Sequence, residues 1–334
     1  AVAGLQRATV ADTIGTTEMT EALPARPIDP STLAMTFSIN DSPLAGQDGD
    51  KVTSRQIRDR LMREKEGNVA IRVRESDEKD AFEVAGRGEL QLAVLIEQMR
   101  REGYELSVSR PRVLFRDNPE TGKREEPIEE VTVDVDEEYA GAVVSSISER
   151  KGELQEMRAS GAGKQRLVFL APSRGLIGYH GQFLTETRGA GVMNRIFHSY
   201  APHKGPISAR RTGVLVSMES GKAVPYALYN LEDRGYLFIQ PGAPVYQGMI
   251  IGENAKSGDL EVNPLKSKQL TNFRAAGKDD AVTLTTPVDM TLEKALAYID
   301  DDELVEVTPG AIRLRKRYLD PHERKRAARR AAAE

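Results

Sequence analysis

The chain has 334 residues, of which 39% are hydrophobic and 29% charged, and this mixture indicates a soluble globular protein of several domains. It contains no cysteine, which excludes disulfides, cysteine-ligated metal centres and thiol catalysis. No apolar run approaches the roughly 20 residues of a membrane helix, and the chain has neither a secretory signal nor an initiator Met. We therefore expect a cytoplasmic protein of which this sequence is a part.

The net charge of −4 conceals three blocks of one sign. Residues 125–138 carry eight acids and no base, residues 150–211 carry eleven bases and three acids, and residues 313–330 carry nine bases and two acids. A single block can be a solvated face, but two basic blocks in one chain favour an anionic partner. Aromatic residues make up only 5% of the chain, so base stacking is not expected to dominate binding to a nucleic acid.

The first regular pattern begins after the loop 22–32, ALPARPIDPST, whose three prolines mark a domain boundary. From Leu33 onward the apolar pattern predicts the order β-α-β-β-α-β. Thr53 and Gln56 are spaced to form a capping box for the first helix, which ends at Gly67. The second helix is predicted over 89–101, because its apolar residues recur on one face.

The same order repeats in residues 128–201. An alternating strand from Ile128 is followed by a helix through Val143 and Ile147, two strands, a glycine-bearing helix and a closing strand. Two such units in tandem predict two ferredoxin-like domains, a fold that supports many functions.

Residues from about Gly205 onward are typical of a β-rich domain, with short apolar segments separated by turn residues. Residues 223–231 and 281–290 are interpreted as strands. Residues 253–278 are interpreted as a strandless polar loop. Thr291 is expected to cap a helix.

The segment 311–319 alternates between apolar and basic residues. We expect a strand with Ile312 and Leu314 facing inward and Arg313, Arg315 and Arg317 exposed on the opposite face. A basic tail follows it, with an aspartate and a proline that suit the start of a helix.

A search for catalytic or cofactor motifs finds none that fits. The segment 161–165, GAGKQ, is similar to a phosphate loop, but Arg158 stands where the first glycine is required and Gln165 stands where Ser or Thr is required. The dinucleotide pattern and the nucleophile elbow are also absent. The four histidines lack metal-site spacing, and the acidic run 300–303 is interpreted as a solvated helix end. We predict no catalytic, cofactor-binding or metal-binding residue in this chain.

Two segments resemble the translational GTPase family that includes the elongation factor EF-G. Residues 82–113, FEVAGRGELQLAVLIEQMRREGYELSVSRPRV, resemble its third domain through the G-x-G-E-L helix start and the final R-P-x-V. Residues 126–161, EPIEEVTVDVDEEYAGAVVSSISERKGELQEMRASG, resemble its fifth domain. In EF-G a large fourth domain separates the two, whereas here only residues 112–125 intervene, so translocation is not expected.

Residues 219–319 resemble the C-terminal domain that distinguishes the BipA/TypA family. The resemblance implies an α+β multidomain fold with two ferredoxin-like domains and a β-rich C-terminal domain containing one or two helices. The expected domains are the end of β-barrel domain II with a linker (1–30), ferredoxin-like domain III (31–112), ferredoxin-like domain V (113–203), and a BipA-type RNA-binding domain with a basic tail (204–334).

The resemblance also implies a monomer that binds the ribosome through the large subunit, ribosomal RNA and A-site tRNA, and that acts in large-subunit assembly and stress-responsive translation. GTP and magnesium would bind in a GTPase domain that this sequence lacks. We therefore expect no enzymatic activity and no cofactor in this chain, and neither DNA nor a membrane as partner.

The residues expected to contact RNA are basic residues of the predicted loop and of the last strand: Lys256, Lys266, Lys268, Arg274, Lys278, Arg313, Arg315 and Arg317. The alternative is a small-molecule-sensing regulatory protein built on tandem ferredoxin-like domains. Such a protein would bind a metabolite with little dependence on salt, whereas RNA binding weakens steeply as salt rises.

Overall fold

The computed structural model describes residues 4, 12–24, 30–207, 210, 212–267 and 283–331. The chain divides into two units, each built from several segments of sequence. The first unit comprises Ala1–Ile39, Asp50–Tyr104 and Pro111–Ile207, and the second comprises Asn40–Gly49, Glu105–Arg110 and Ser208–Glu334. Two short segments of the predicted domain III thus belong to the second unit, and the expected domain boundaries stay a prediction.

The first part of the chain follows the predicted β-α-β-β-α-β order. Thr53 and Gln56 form the predicted capping box, in which Gln56 N–H donates to Thr53 Oγ1 (3.4 Å) and Thr53 N–H donates to Gln56 Oε1 (3.1 Å). Within the first unit, the strand Ala81–Gly86 pairs antiparallel with Leu33–Ile39 on one edge and with Arg72–Glu75 on the other. The elements are β1 (Leu33–Ile39), α1 (Ser54–Gly67), β2 (Arg72–Glu75), β3 (Ala81–Gly86), α2 (Glu89–Arg101) and, in the second unit, β4 (Leu106–Ser109).

The second repeat lies wholly within the first unit. Strand β5 (Arg112–Val113) precedes this repeat and pairs with β1. The elements of the repeat are β6 (Arg116–Asp117), β7 (Arg124–Asp136), α3 (Glu137–Glu149), β8 (Glu153–Gly161), β9 (Lys164–Pro172), α4 (Ser173–Leu176), α5 (Tyr179–Glu186) and β10 (Val192–Pro202). The antiparallel sheet has the order β10-β7-β9-β8. Alternate residues of β7 and β9 form a core with α3 and α5, which confirms the predicted α+β architecture.

Glu89, the first residue of α2, joins the two repeats of the first unit. Its carboxylate accepts hydrogen bonds from Gly178 N–H at 2.9 Å and from Arg195 Nη1 at 3.2 Å. Arg195 also pairs with Glu129 on β7 at 2.8 Å. A carboxylate at a helix N-terminus is stabilised by the helix dipole, so one side chain serves both the helix and the packing of the repeats.

The second unit is built on one large sheet with strand order β16-β11-β15-β18-β17-β4, to which β13 is added beside β15. The elements that follow the first unit are β11 (Val214–Ser217), β12 (Gly221–Lys222), α6 (Pro225–Glu232), β13 (Gly235–Leu237), β14 (Pro244–Val245), β15 (Met249–Asn254), β16 (Leu260–Val262), α7 (Leu292–Tyr298), β17 (Glu303–Val307), β18 (Ile312–Lys316) and α8 (Pro321–Ala331). Strand β18 is an inner strand, because β15 and β17 pair with its two edges.

Three expectations for this part of the sequence are wrong. Most of 223–231 is the helix α6, because Pro225 suits a first helical turn and the helix buries Ala227 and Leu228. The loop predicted to be strandless contains β16, which pairs in parallel with β11 and buries Val262. The described part of the predicted strand 281–290, residues 283–290, has no regular secondary structure.

A buried carboxylate organises the segment Asn40–Gly49 of the second unit. Glu105 has no solvent exposure, and Asn40 Nδ2 links it to a second buried carboxylate, Glu306, at 3.0 and 3.1 Å. Three backbone N–H groups of the segment also donate to Glu105, at 2.8 to 3.1 Å: those of Gly46, Asp48 and Gly49. Burial alone would raise the pKa of Glu105, but these hydrogen bonds outweigh burial and lower the pKa.

We expect Glu105→Gln to lower the free energy of unfolding by about 1–3 kcal/mol, because the buried N–H groups lose part of their acceptor. Since the pKa of Glu105 is lowered in the folded chain, its stabilising effect is present above the unfolded pKa, about 4.3, and is lost as pH falls through the folded pKa. The variant should therefore lose less stability than the wild type as the pH falls from about 6 to about 3, a range that extends below the unfolded pKa. Urea unfolding followed by circular dichroism at both pH values measures the two effects.

Glu219→Gln is the control for this experiment, because Glu219 is exposed in the same unit. An E105Q variant as stable as the control at neutral pH would show that the carboxylate does not hold the segment.

Candidate nucleic-acid interface

The eight residues predicted to bind RNA fall into three groups. Lys268, Arg274 and Lys278 lie outside the described residues. Lys256 and Lys266 are exposed. The other three belong to β18 and the residue after it: Arg313, Arg315 and Arg317.

Arg313 faces acidic side chains rather than solvent. Its Nη1 lies 2.9 Å from Glu306 Oε1, and its Nη2 lies 3.5 Å from Asp48 Oδ2. Glu306 is fully buried and sits directly opposite Arg313 in the register of β17 and β18. Arg313 is thus the counter-ion of a carboxylate that water does not reach.

Arg315 is buried more deeply, with only 2% of its side chain exposed. It forms an ion pair with Asp41 and a hydrogen bond with Ser107. The segment Asn40–Gly49 supplies Asp41 here and Asp48 at Arg313. That segment therefore covers the β18 face that carries these two arginines.

The opposite face of β18 carries another buried cation, Lys316, which is 2% exposed. Its Nζ lies 2.6 Å from Asp259, 2.9 Å from Asp302 and 2.9 Å from Glu303. Burial alone would lower the pKa of Lys316, but the nearby carboxylates, Glu303 first, outweigh burial and raise it. Glu303 also pairs with Arg210 at 2.8 Å.

The expectation of an exposed arginine face on β18 is therefore wrong for Arg313 and Arg315, and Arg317 is partly buried. The physical reason is that alternation shows which residues share a strand face but not what covers that face. The interpretation of 300–303 as a solvated helix end is also wrong at Glu303, which is fully buried and paired.

Three basic residues of the block 150–211 pair with the acidic block 125–138 within the first unit. Arg166 on β9 lies 2.8 Å from Asp134 on β7, which is its neighbour in the sheet. Arg174 and Arg195 pair in the same way with other acids of the block, Glu126 and Glu129. The two blocks thus form cross-strand and helix–strand ion pairs, and only part of the basic block stays available to an anionic partner.

Lys256 and Lys266 lie in the segments that follow β15 and β16. Lys256 N–H donates to Asn254 Oδ1 at 3.3 Å, and its carbonyl oxygen accepts from Gly213 N–H at 2.9 Å. Lys266 follows Leu265, which packs against the core of the second unit. Two hydrogen bonds thus hold the backbone of Lys256, and Lys266 follows a packed residue, while both lysines are exposed.

Lys256 also lines a depression of about 540 Å³ at the ends of β15 and α6. The charged residues of this depression are balanced, with two bases and two acids: Arg234, Lys256, Asp233 and Asp259. Such a lining provides no concentrated positive charge for a small anion.

Among the described residues no group of three or more His, Asp or Glu side chains is arranged to hold a metal ion. In the same part of the chain, no helix has both the length and the apolar character needed to cross a bilayer.

Comparison with protein families matches two consecutive parts of the chain. Residues 123–211 match the family described as elongation factor G C-terminus, and residues 212–321 match the TypA/BipA C-terminal domain.

Curated relatives match almost the whole chain. It is 52% identical over 330 residues to the large ribosomal subunit assembly factor BipA of Escherichia coli (strain K12), an alignment that covers 98% of this chain and 54% of that protein. The factor of the same name from Haemophilus influenzae is 52% identical, covering 98% and 53%, and that from Synechocystis is 50% identical, covering 95% and 53%. The chain thus spans about half the length of these relatives. A crystal structure from Thermus thermophilus aligns with a TM-score of 0.36 at 14% identity, covering 57% of this chain and 44% of that one.

We expect Arg313→Met to lower the free energy of unfolding by about 3 kcal/mol or more, because it leaves the buried carboxylate of Glu306 without its cation. Lys256→Met removes the same charge from an exposed position and should change stability by less than about 0.5 kcal/mol. Urea unfolding at neutral pH compares the two variants. Equal stability of R313M and K256M would show that the pair with Glu306 does not contribute to the fold.

Proposed function

Because the chain belongs to the TypA/BipA family, we propose that it is the ribosome-binding part of a factor that assembles the large ribosomal subunit. The observation that carries this proposal is an identity of 50–52% to named assembly factors over at least 95% of the chain. On this proposal the chain contacts ribosomal RNA and the A-site tRNA in the cytoplasm, as a monomer, and takes part in stress-responsive translation.

We assign GTP and magnesium binding, and GTP hydrolysis, to the part of the family protein that this sequence does not cover. The failed match of GAGKQ to a phosphate loop supports this assignment. The regulatory alternative is not favoured, because the depression near Lys256 is lined by opposing charges rather than by groups that converge on one ligand.

The exposed lysines of the second unit support an RNA partner. The backbone of Lys256 is held by two hydrogen bonds, so little of its conformational entropy is lost when this lysine binds a phosphate, and Lys266 is exposed next to a packed leucine. Lys268, Arg274 and Lys278 continue the same basic segment and stay predicted RNA contacts. Arg313, Arg315 and Arg317 are not part of this proposal.

The proposal is tested by co-sedimentation with isolated large and small ribosomal subunits over a series of salt concentrations. We expect binding to the large subunit, with an affinity that falls linearly on a log–log plot as salt rises. A chain that sediments with neither subunit at low salt would contradict the proposal. A metabolite-dependent thermal shift that salt barely changes would favour the regulatory alternative instead.

Replacing Lys256 and Lys266 together by Ala is expected to weaken binding to the large subunit and to flatten the salt slope by about 0.7–0.9 for each phosphate that is no longer neutralised. The melting temperature should not change, since both side chains are exposed. The matched control replaces two exposed lysines of the first unit, Lys79 and Lys123, by Ala. If both double variants bind like the wild type, the two lysines of the second unit do not bind RNA.

A further inference from the structure

The helix α8 (Pro321–Ala331) gathers most of its basic residues on one face. At about 100° per residue, its last four basic residues fall within an arc of about 140°. These residues are Lys325, Arg326, Arg329 and Arg330, and all four are exposed. The family match to the TypA/BipA C-terminal domain ends at residue 321, so that match does not include this face.

The other side of the helix is tied to the second unit by Arg324. Its Nη2 lies 2.8 Å from Glu261 Oε1, and its Nη1 donates to the carbonyl oxygens of Tyr318 at 2.9 Å and Leu319 at 2.6 Å. Asp320 caps the helix, because its Oδ1 accepts from the N–H groups of the second and third helical residues at 2.7 and 3.0 Å. These contacts fix the rotation of the helix, so its basic face is directed to solvent.

The four basic residues also differ from those of β18 in their partners. In the part of the chain that the structure describes, Arg313 and Lys316 lie within 4 Å of buried or partly buried carboxylates, whereas α8 has a single acid, Glu323, in its first turn. Lys325 and Arg329 are four residues apart, as are Arg326 and Arg330, so each pair is about 6 Å apart along the helix axis. The result is two short parallel rows of positive charge on one rigid element.

We infer that this basic face binds the phosphate backbone of double-stranded RNA. Arginine donates in a fixed planar fork that matches phosphate oxygens, and three of the four residues are arginines. The helix contains no Phe, Tyr or Trp to stack on unpaired bases, and the deep major groove of duplex RNA does not admit side chains to base edges. The binding is therefore directed to phosphates and is independent of base sequence.

The opposite face of α8 argues against the other partners of basic helices. It presents Ala327 and Ala328 beside the stem of Arg324. A helix that inserts into a membrane surface, or into the apolar groove of a partner protein, uses bulky apolar anchors at these positions. Alanine provides too little apolar area for either, so electrostatic attraction to phosphates is the interaction that the helix offers.

The inference rests on the proposed function, and its test separates the two. The test variant replaces Lys325, Arg326, Arg329 and Arg330 by Gln, which retains helix propensity. The control variant replaces four exposed basic residues of helix α1 by Gln and thus changes the net charge equally: Arg55, Arg58, Arg63 and Lys65. Each protein is titrated with a short RNA duplex of arbitrary sequence, with isolated large subunits, and with vesicles containing phosphatidylserine, over a series of salt concentrations.

We expect the α8 variant to lose on the order of tenfold in affinity for the duplex and for the large subunit, with a salt slope flatter by about 3, while the α1 control loses much less. The melting temperature of the α8 variant should match that of the wild type. If the wild type and both variants bind the large subunit alike, the inference is wrong and the proposed function stands. If duplex binding depends on α8 but no protein binds the large subunit, the inference stands and the proposed function is wrong. Binding to vesicles that depends on α8, without binding to the duplex, would overturn the inference in favour of a lipid surface.

Discussion

Carboxylates without solvent exposure determine how the second unit uses its positive charge. Glu306 accepts hydrogen bonds from Asn40, Ser42 and Tyr246 in addition to its pair with Arg313. Placing such a group in the interior is expensive unless every oxygen is satisfied, and removing one partner leaves that cost uncompensated. The cations of β18 are therefore structural, and Glu105 holds the segment Asn40–Gly49 over two of them, Arg313 and Arg315.

Helix α2 and strand β18 show how far the sequence allowed the fold and the site to be predicted. The bounds of α2 were predicted because its helical period is flanked by a glycine within two residues of each end, Gly88 and Gly103. The prediction that Arg313 and Arg315 share one face of β18 was also correct, since both pair with the same segment. What the local pattern lacked was the covering segment, which comes from more than 260 positions earlier in the chain. Burial that depends on such distant contacts leaves no local period.

Helix α6 was misassigned for a different reason. Its eight residues are mostly apolar or aromatic, and a short apolar run fits a strand or a buried helix equally well. The proline at its first position was the signal that favoured a helix, because the first turn of a helix accommodates proline. A single residue of this kind is weak evidence against the composition of a whole segment.

Ion pairing also changes how the charge blocks of the sequence should be interpreted as binding surfaces. Acidic and basic blocks that lie far apart in sequence meet in the fold, as Asp134 and Arg166 do across β7 and β9, and what a partner encounters is the charge left after this pairing. That remaining charge is screened by salt over about 10 Å at 0.1 M, whereas pairs such as Lys316 with Glu303, which water does not reach, are screened much less. Raising the salt concentration therefore weakens contacts made by exposed cations well before it weakens the buried pairs. A chain of net charge −4 can in this way hold its fold through one set of cations and attract an anionic partner through another.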